Sequence, residues 1–323
     1  MKTIKIQYKI LLSGFPNRDE EYNIDEFKLK KEIVNQDKIK ERIDKEVFDT
    51  GIFIKYCIVD KLGTILYLEN DELIDFQIQN KFNLSENKVK LLLEKYKSVI
   101  EKVKNTINKI KLTLDIPVEY PMIRLNIFDE NNEFICDYVQ KNYITFWNRL
   151  EYISTNEKDK NFASIIESKY WGKIREERIN RALNFFYTSF DSNSEAIRFI
   201  MLISSLESLF NYKLSSQNSI TKRVSELSAK ILSVFNQEKC EENYNKVKKI
   251  YNIRSKYIHG EKNKITIEDE RLLRRIVRII IIFYIIVHID TNWSIGEIIN
   301  YINGDPEKVK EEYKEILKLL IQV

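Results

Sequence analysis

Ile276-Val277-Arg278-Ile279-Ile280-Ile281-Ile282-Phe283-Tyr284-Ile285-Ile286-Val287-His288-Ile289 is an apolar run interrupted only by Arg278 and His288. A bilayer span needs roughly 20 apolar residues, so the run is too short and too charged for one. It reads instead as a central helix buried on nearly all sides, or as one at a subunit interface. Thr266, with Asp269 three residues on, resembles a capping box with Asp in place of Glu or Gln. A helix is therefore expected over 267–289.

The same helical character extends outward in both directions. Upstream, Ser194 is a credible N-cap for a helix through Ala196, Phe199, Ile200, Ile203, Leu206 and Leu209. Further helices are expected over 134–152, 171–190, 219–235 and 241–259. Downstream, 305–321 reads as an amphipathic helix with Pro306 suited to its first turn.

The first part of the chain has a different pattern. Ile4, Ile6, Tyr8 and Ile10 alternate strictly, as in a half-buried strand, and Ser13-Gly14-Phe15-Pro16-Asn17 supplies turn chemistry. Ile52–Val59 and Thr64–Leu68, joined by Asp60-Lys61-Leu62-Gly63, look like a hairpin; Leu73–Ile78 alternates again, and 123–128 suits a last strand. Helical pieces are expected at 36–48 and, with apolar residues at helical spacing, from Ser85 to Leu112. The fold class expected is thus α+β, mainly α. A β-rich domain over 1–130, built as a small sheet or sandwich, precedes a helical bundle over 131–323.

Composition bounds what such a chain can do. Its 323 residues suffice for one large domain or two ordinary ones, and 43% hydrophobic with 32% charged residues suits a packed core under a solvated surface. Seven glycines and four prolines leave little room for disorder. The net charge of +4 allows an RNA partner without requiring one. Cys57, Cys136 and Cys240 are odd in number and lack CxxC or Cys/His metal spacing, so they read as reduced thiols of a cytoplasmic protein. The N-terminus has no apolar signal-peptide region. Neither a cofactor nor a metal is expected, and no membrane association.

G-x-G-x-x-G, Walker, H-E-x-x-H and G-x-S-x-G motifs are all absent. With only His259 and His288 in the chain, acid/base chemistry near neutral pH has few carriers. Arg254-Ser255-Lys256-Tyr257-Ile258-His259-Gly260 closes the helix that starts near Glu241, and Gly260 suits the left-handed position just past a helix end. There the negative end of the helix dipole favours protonated His259, poised to exchange protons with a phosphate ester. Arg254 brings a permanently charged guanidinium suited to phosphate oxygens. An Arg and a His near a helix end also serve simply to cap carbonyls. His288, inside the apolar run, reads as a satisfied core or interface histidine.

Three further features belong with the motif. Glu207 lies in an otherwise apolar helix and needs a cation, with Arg254 or Arg223 as candidates. Arg271, Arg274, Arg275 and Arg278 follow i, i+3, i+4, i+7 spacing, a stripe able to track an RNA backbone or to form a salt-bridged face with Glu268, Asp269 and Glu270. Tyr251 and Tyr257 flank the motif, where stacking on a base and helix packing are both open.

The R-x4-H-Gly pattern resembles the signature of HEPN domains, specifically the Apea-like HEPN family of prokaryotes. Arg198-Phe199-Ile200-Met201-Leu202-Ile203-Ser204-Ser205-Leu206-Glu207-Ser208-Leu209-Phe210 resembles that family's helix with its Leu-Glu dipeptide, and Ser219–Val224 its next block. The likeness covers the last half to three-fifths of the chain. It implies a helical bundle that dimerises and brings two R-x4-H motifs together as a metal-independent endoribonuclease, of a kind used in antiviral defence, toxin systems or RNA processing. Arg254 then contacts the phosphate, His259 is the general acid/base, and Ser255, Glu207 and Tyr257 support them. Ser255 stands where Asn or Asp often follows the arginine in active members. The partners implied are RNA and a second copy of the chain, with an antitoxin or phage-derived trigger also in view. The alternative is a non-catalytic sensor that binds RNA, a nucleotide or a partner and uses its bundle to dimerise.

Overall fold

The computed structural model describes residues 2–13, 22–24, 27–33, 64–76, 86–114, 119–128, 131–141, 169–171, 174–192, 194–210, 220–235, 240–260 and 265–321. They divide between two compact units. One comprises 1–111, 116–144 and 148–157; the other 112–115, 145–147 and 158–323.

The first unit carries an antiparallel sheet of β1 (Lys2–Ser13), β2 (Tyr22–Ile24), β3 (Phe27–Ile33), β4 (Thr64–Phe76), β5 (Glu119–Phe128) and β6 (Phe134–Lys141). Its strand order is β2-β3-β4-β1-β5-β6. The alternating strand β1 is central, with Ile6 opposite Glu72 of β4 and Ile127 of β5. Thr64–Leu68 and Leu73–Phe76, expected as separate strands, are one 13-residue strand. The run 52–59 and the helical piece 36–48 lie outside the described residues. Helix α1 (Glu86–Leu114) begins in this unit.

The expected fold needs correction at its division. Residue 134 does not open a helix: Phe134–Lys141 is the sixth strand, paired in antiparallel register with β5 from Met122 opposite Lys141 to Phe128 opposite Phe134. The expected division, with the β-rich part ending at 130 and helices from 131, is thereby overturned: the sheet runs on to Lys141. The physical cause is the turn before the strand. Asn132 takes a left-handed φ of 59°, a conformation asparagine tolerates well, and so folds the chain back as a hairpin.

Among its described residues the second unit is entirely helical, apart from its turns. It holds a 3-10 turn (Lys169–Trp171), α2 (Glu177–Asp191), α3 (Glu195–Phe210), α4 (Ile220–Phe235), α5 (Cys240–Ile258), α6 (Ile267–Thr291), α7 (Ile295–Gly304) and α8 (Pro306–Ile321). Helix α6 packs against each of the other seven elements named. Every residue from Ile276 to His288 is buried, so this helix is the axis of the core. A fully buried aliphatic side chain contributes roughly 1.5–3 kcal/mol, and the row of isoleucines makes α6 the main source of stability. Thr266 Oγ1 accepts from the Asp269 amide at 3.2 Å, and Asp269 Oδ2 accepts from the Thr266 amide at 3.2 Å, completing the capping box. Among the described residues no helix is long and apolar enough to cross a membrane.

Candidate functional site

Helix α5 ends where its sequence says it should. The His259 amide donates to the Ser255 carbonyl at 3.1 Å, and the Gly260 amide to the Tyr257 carbonyl at 3.2 Å. Gly260 has a φ of +76°, and a Cβ added there would meet nothing within 4 Å. Glycine is therefore required by backbone conformation rather than by space. This termination leaves Ser255, Tyr257 and His259 exposed.

Arg254 is half-buried one turn earlier. Its Nη2 lies 3.7 Å from Glu207 Oε1, on α3. Of the two cations expected for Glu207, the structure pairs it with Arg254. Burial pushes the Glu207 carboxyl above its ordinary value, while the Arg254 charge pulls it down. Three residues before Arg254, and so on the same side of α5, Tyr251 is 3% exposed. Its hydroxyl makes no hydrogen bond among the described residues. Burial raises that hydroxyl well above the ordinary tyrosine value, the Glu207 charge raises it further, and Arg254 opposes both. Glu207, Tyr251 and Arg254 thus form one electrostatic cluster below the exposed helix end. Base stacking was one role open to Tyr251; its burial leaves its ring in the core.

The arginine stripe does not present four guanidinium groups to solvent. Arg274 and Arg278 are buried, Arg271 is half-buried and Arg275 is exposed. Arg274 Nη2 contacts Glu270 Oε1 at 2.6 Å, Arg198 Nε contacts Glu270 Oε2 at 2.7 Å, and all three side chains are at most 4% exposed. The Arg274 guanidinium also stacks 4.3 Å from the Phe190 ring centre. Arg278 donates to the carbonyl of Leu112 at 2.6 Å and to that of Thr113. RNA-facing roles for Arg274 and Arg278 are corrected on these grounds. Both guanidinium groups are consumed inside the helical unit, since burying an unpaired charge is costly.

His288 is buried, with Nδ1 2.8 Å from the Trp293 carbonyl oxygen, a satisfied core histidine. Cys240, which opens α5, is an exposed free thiol. Two features escaped the sequence reading. A salt bridge from the stripe to Glu270 was one of its readings, but not that the pair is buried or that Arg198 joins it. Helix α7 was signalled by Ser294-x-x-Glu297, a second capping box. Among the described residues no group of three or more His, Cys, Asp or Glu side chains is arranged to hold a metal ion. No protein-family model, curated protein or solved structure matches the chain.

Proposed function

We propose that the protein is a cytoplasmic, metal-independent endoribonuclease of HEPN type, working as a homodimer in defence or a toxin system. The observation that carries this is the pairing of Arg254 with Glu207 five residues before an exposed, Gly-terminated His259. A guanidinium held from behind by a carboxylate is oriented without being saturated. At 3.7 Å the contact is an ion pair beyond hydrogen-bonding range, so the donors remain available to a phosphodiester.

His259 sits five residues on, in the exposed turn that closes α5. Cleavage by 2′-hydroxyl attack requires a base for that proton and an acid for the departing 5′-oxygen. One chain supplies one suitably exposed histidine, so a two-fold dimer supplies both roles. The O2′–P bond forms as P–O5′ breaks, leaving a 2′,3′-cyclic phosphate and a 5′-hydroxyl. Arg254 neutralises charge growing on the non-bridging oxygens. Ser255 and Tyr257, both exposed, are available to the RNA beside the motif. Exposed Arg275 remains from the stripe for its backbone.

Incubation of purified protein with total RNA in EDTA, beside His259→Ala, tests the proposal. Cleavage by the parent and none by the variant is expected. Equal cleavage by both would remove His259 from the reaction, and no cleavage by either would favour the non-catalytic sensor.

A further inference from the structure

Tyr251 poses a specific physical problem. Its side chain is 3% exposed and its hydroxyl oxygen is buried without a hydrogen-bond partner among the described residues. Leaving such a group unpaired destabilises the folded chain. Phenylalanine would fill the same volume without that cost. The side chain is not remote from polar chemistry: it lies one helical turn before Arg254 on the same side of α5, and Arg254 contacts Glu207. Glu207, in turn, holds Arg254 only loosely at 3.7 Å.

A phosphate arriving at Arg254 competes with Glu207 for the guanidinium. A doubly hydrogen-bonded phosphate outcompetes a single long ion pair. Glu207 is then a half-buried carboxylate beside a second anion, and it needs a new donor. We propose that Tyr251 is that donor: when an anion takes Arg254, the Glu207 carboxylate exchanges its contact with Arg254 for a hydrogen bond from the Tyr251 hydroxyl. The hydroxyl is unpaired in the free protein because its bond belongs to the bound state. Tyr251 is thus a positioning residue that acts through Glu207. Three groups share the cluster: Glu207 on α3, and Tyr251 and Arg254 on α5. The exchange rests on the proposal that Arg254 receives the phosphate, but it does not require RNA to be cleaved.

The test is a calorimetric titration of the full chain with inorganic phosphate, for the parent, Arg254→Ala, Tyr251→Phe, Glu207→Gln and the Tyr251→Phe/Glu207→Gln double variant. Phosphate binding is expected to vanish in Arg254→Ala and to weaken roughly tenfold in Tyr251→Phe, the scale of a hydrogen bond to a charged group. Glu207→Gln is expected to bind more tightly than the parent, and the tyrosine substitution to have a smaller effect in that background, because a neutral amide still accepts a hydrogen bond but has no lost ion pair to replace. The melting temperature of ligand-free Tyr251→Phe should equal or exceed the parent's. The proposal is overturned by parent-like affinity in Tyr251→Phe, by an equal loss with and without Glu207, by a lowered melting temperature, or by absence of Arg254-dependent phosphate binding. Arg254-dependent phosphate binding without RNA cleavage would sink the nuclease reading and leave the partner exchange standing.

Discussion

Arg254 Nη2 and Glu207 Oε1 stand 3.7 Å apart, each on a half-buried side chain, and join the last turns of α5 to the last turn of α3. The pairing gives the motif arginine a fixed seat while Ser255 and His259 face solvent. Its stability effect has a definite sign. The Glu207 carboxyl is raised above 4.5, first by burial. The folded state therefore holds its proton to higher pH than the unfolded state does. Between the ordinary and the raised value the native chain binds more protons, so stability falls as pH rises through that window. Glu207→Gln should flatten this part of the curve and leave the protein no less stable at neutral pH. Urea denaturation across mildly acid to neutral pH checks it; a variant that keeps the parent's slope would contradict it.

Glu270 bridges Arg198 and Arg274, with contacts of 2.7 and 2.6 Å. Removing one partner from a buried ionic cluster costs about 3–5 kcal/mol, because the remaining charge stays buried. Glu270→Gln should lose about that much in urea unfolding. The double change Arg198→Met/Glu270→Met, which removes one charge of each sign, should lose less.

Arg275 and Arg278 lie three residues apart on α6 and should behave differently. Arg278 donates to two buried carbonyls of α1's last turn, and Arg278→Ala should cost about 2–3 kcal/mol. Arg275 is exposed, and Arg275→Ala should change stability by under about 0.5 kcal/mol. If Arg275 touches RNA, its loss lowers the salt slope of binding by about one. A large stability loss in Arg275→Ala would contradict this assignment.

Gly260→Ala places a Cβ in open space on a residue with φ +76°. The cost is conformational, about 1–2 kcal/mol, with the fold retained. The left-handed turn that sets the direction of His259 is what the substitution strains. RNA cleavage should therefore fall by more than the loss of folded protein accounts for. Unfolding curves and cleavage rates on the same preparation check this, and unaltered cleavage would show that His259 does not depend on the turn.

Much of the helical unit was legible in the sequence. Thr266–Asp269 fixed the start of α6, its isoleucines fixed its burial, and Gly260 fixed the end of α5. Glu207's need for a cation was also legible, because a carboxylate on an apolar helix face cannot stay unpaired. Strand β6 was not, since a short run such as Phe134–Lys141 suits either period and the asparagine turn decides. The arginine stripe misled for a related reason. Spacing tells which side chains share a helix face, not whether that face looks outward. On a helix buried nearly all round, Arg274 and Arg278 met the core, where partners such as Glu270, Ser189 and the Leu112 and Thr113 carbonyls make that tolerable. The unpaired hydroxyl of Tyr251 has no sequence signal at all, because it depends on packing between α3 and α5.

The most direct measurement is the chemistry of the RNA ends made by the purified protein in EDTA. A 2′,3′-cyclic phosphate is predicted, lost on His259→Ala, on Arg254→Ala, and on a single 2′-deoxy substitution at the cleaved position. A 3′-hydroxyl end, or cleavage indifferent to the 2′-deoxy substitution, would contradict in-line attack driven by Arg254 and His259.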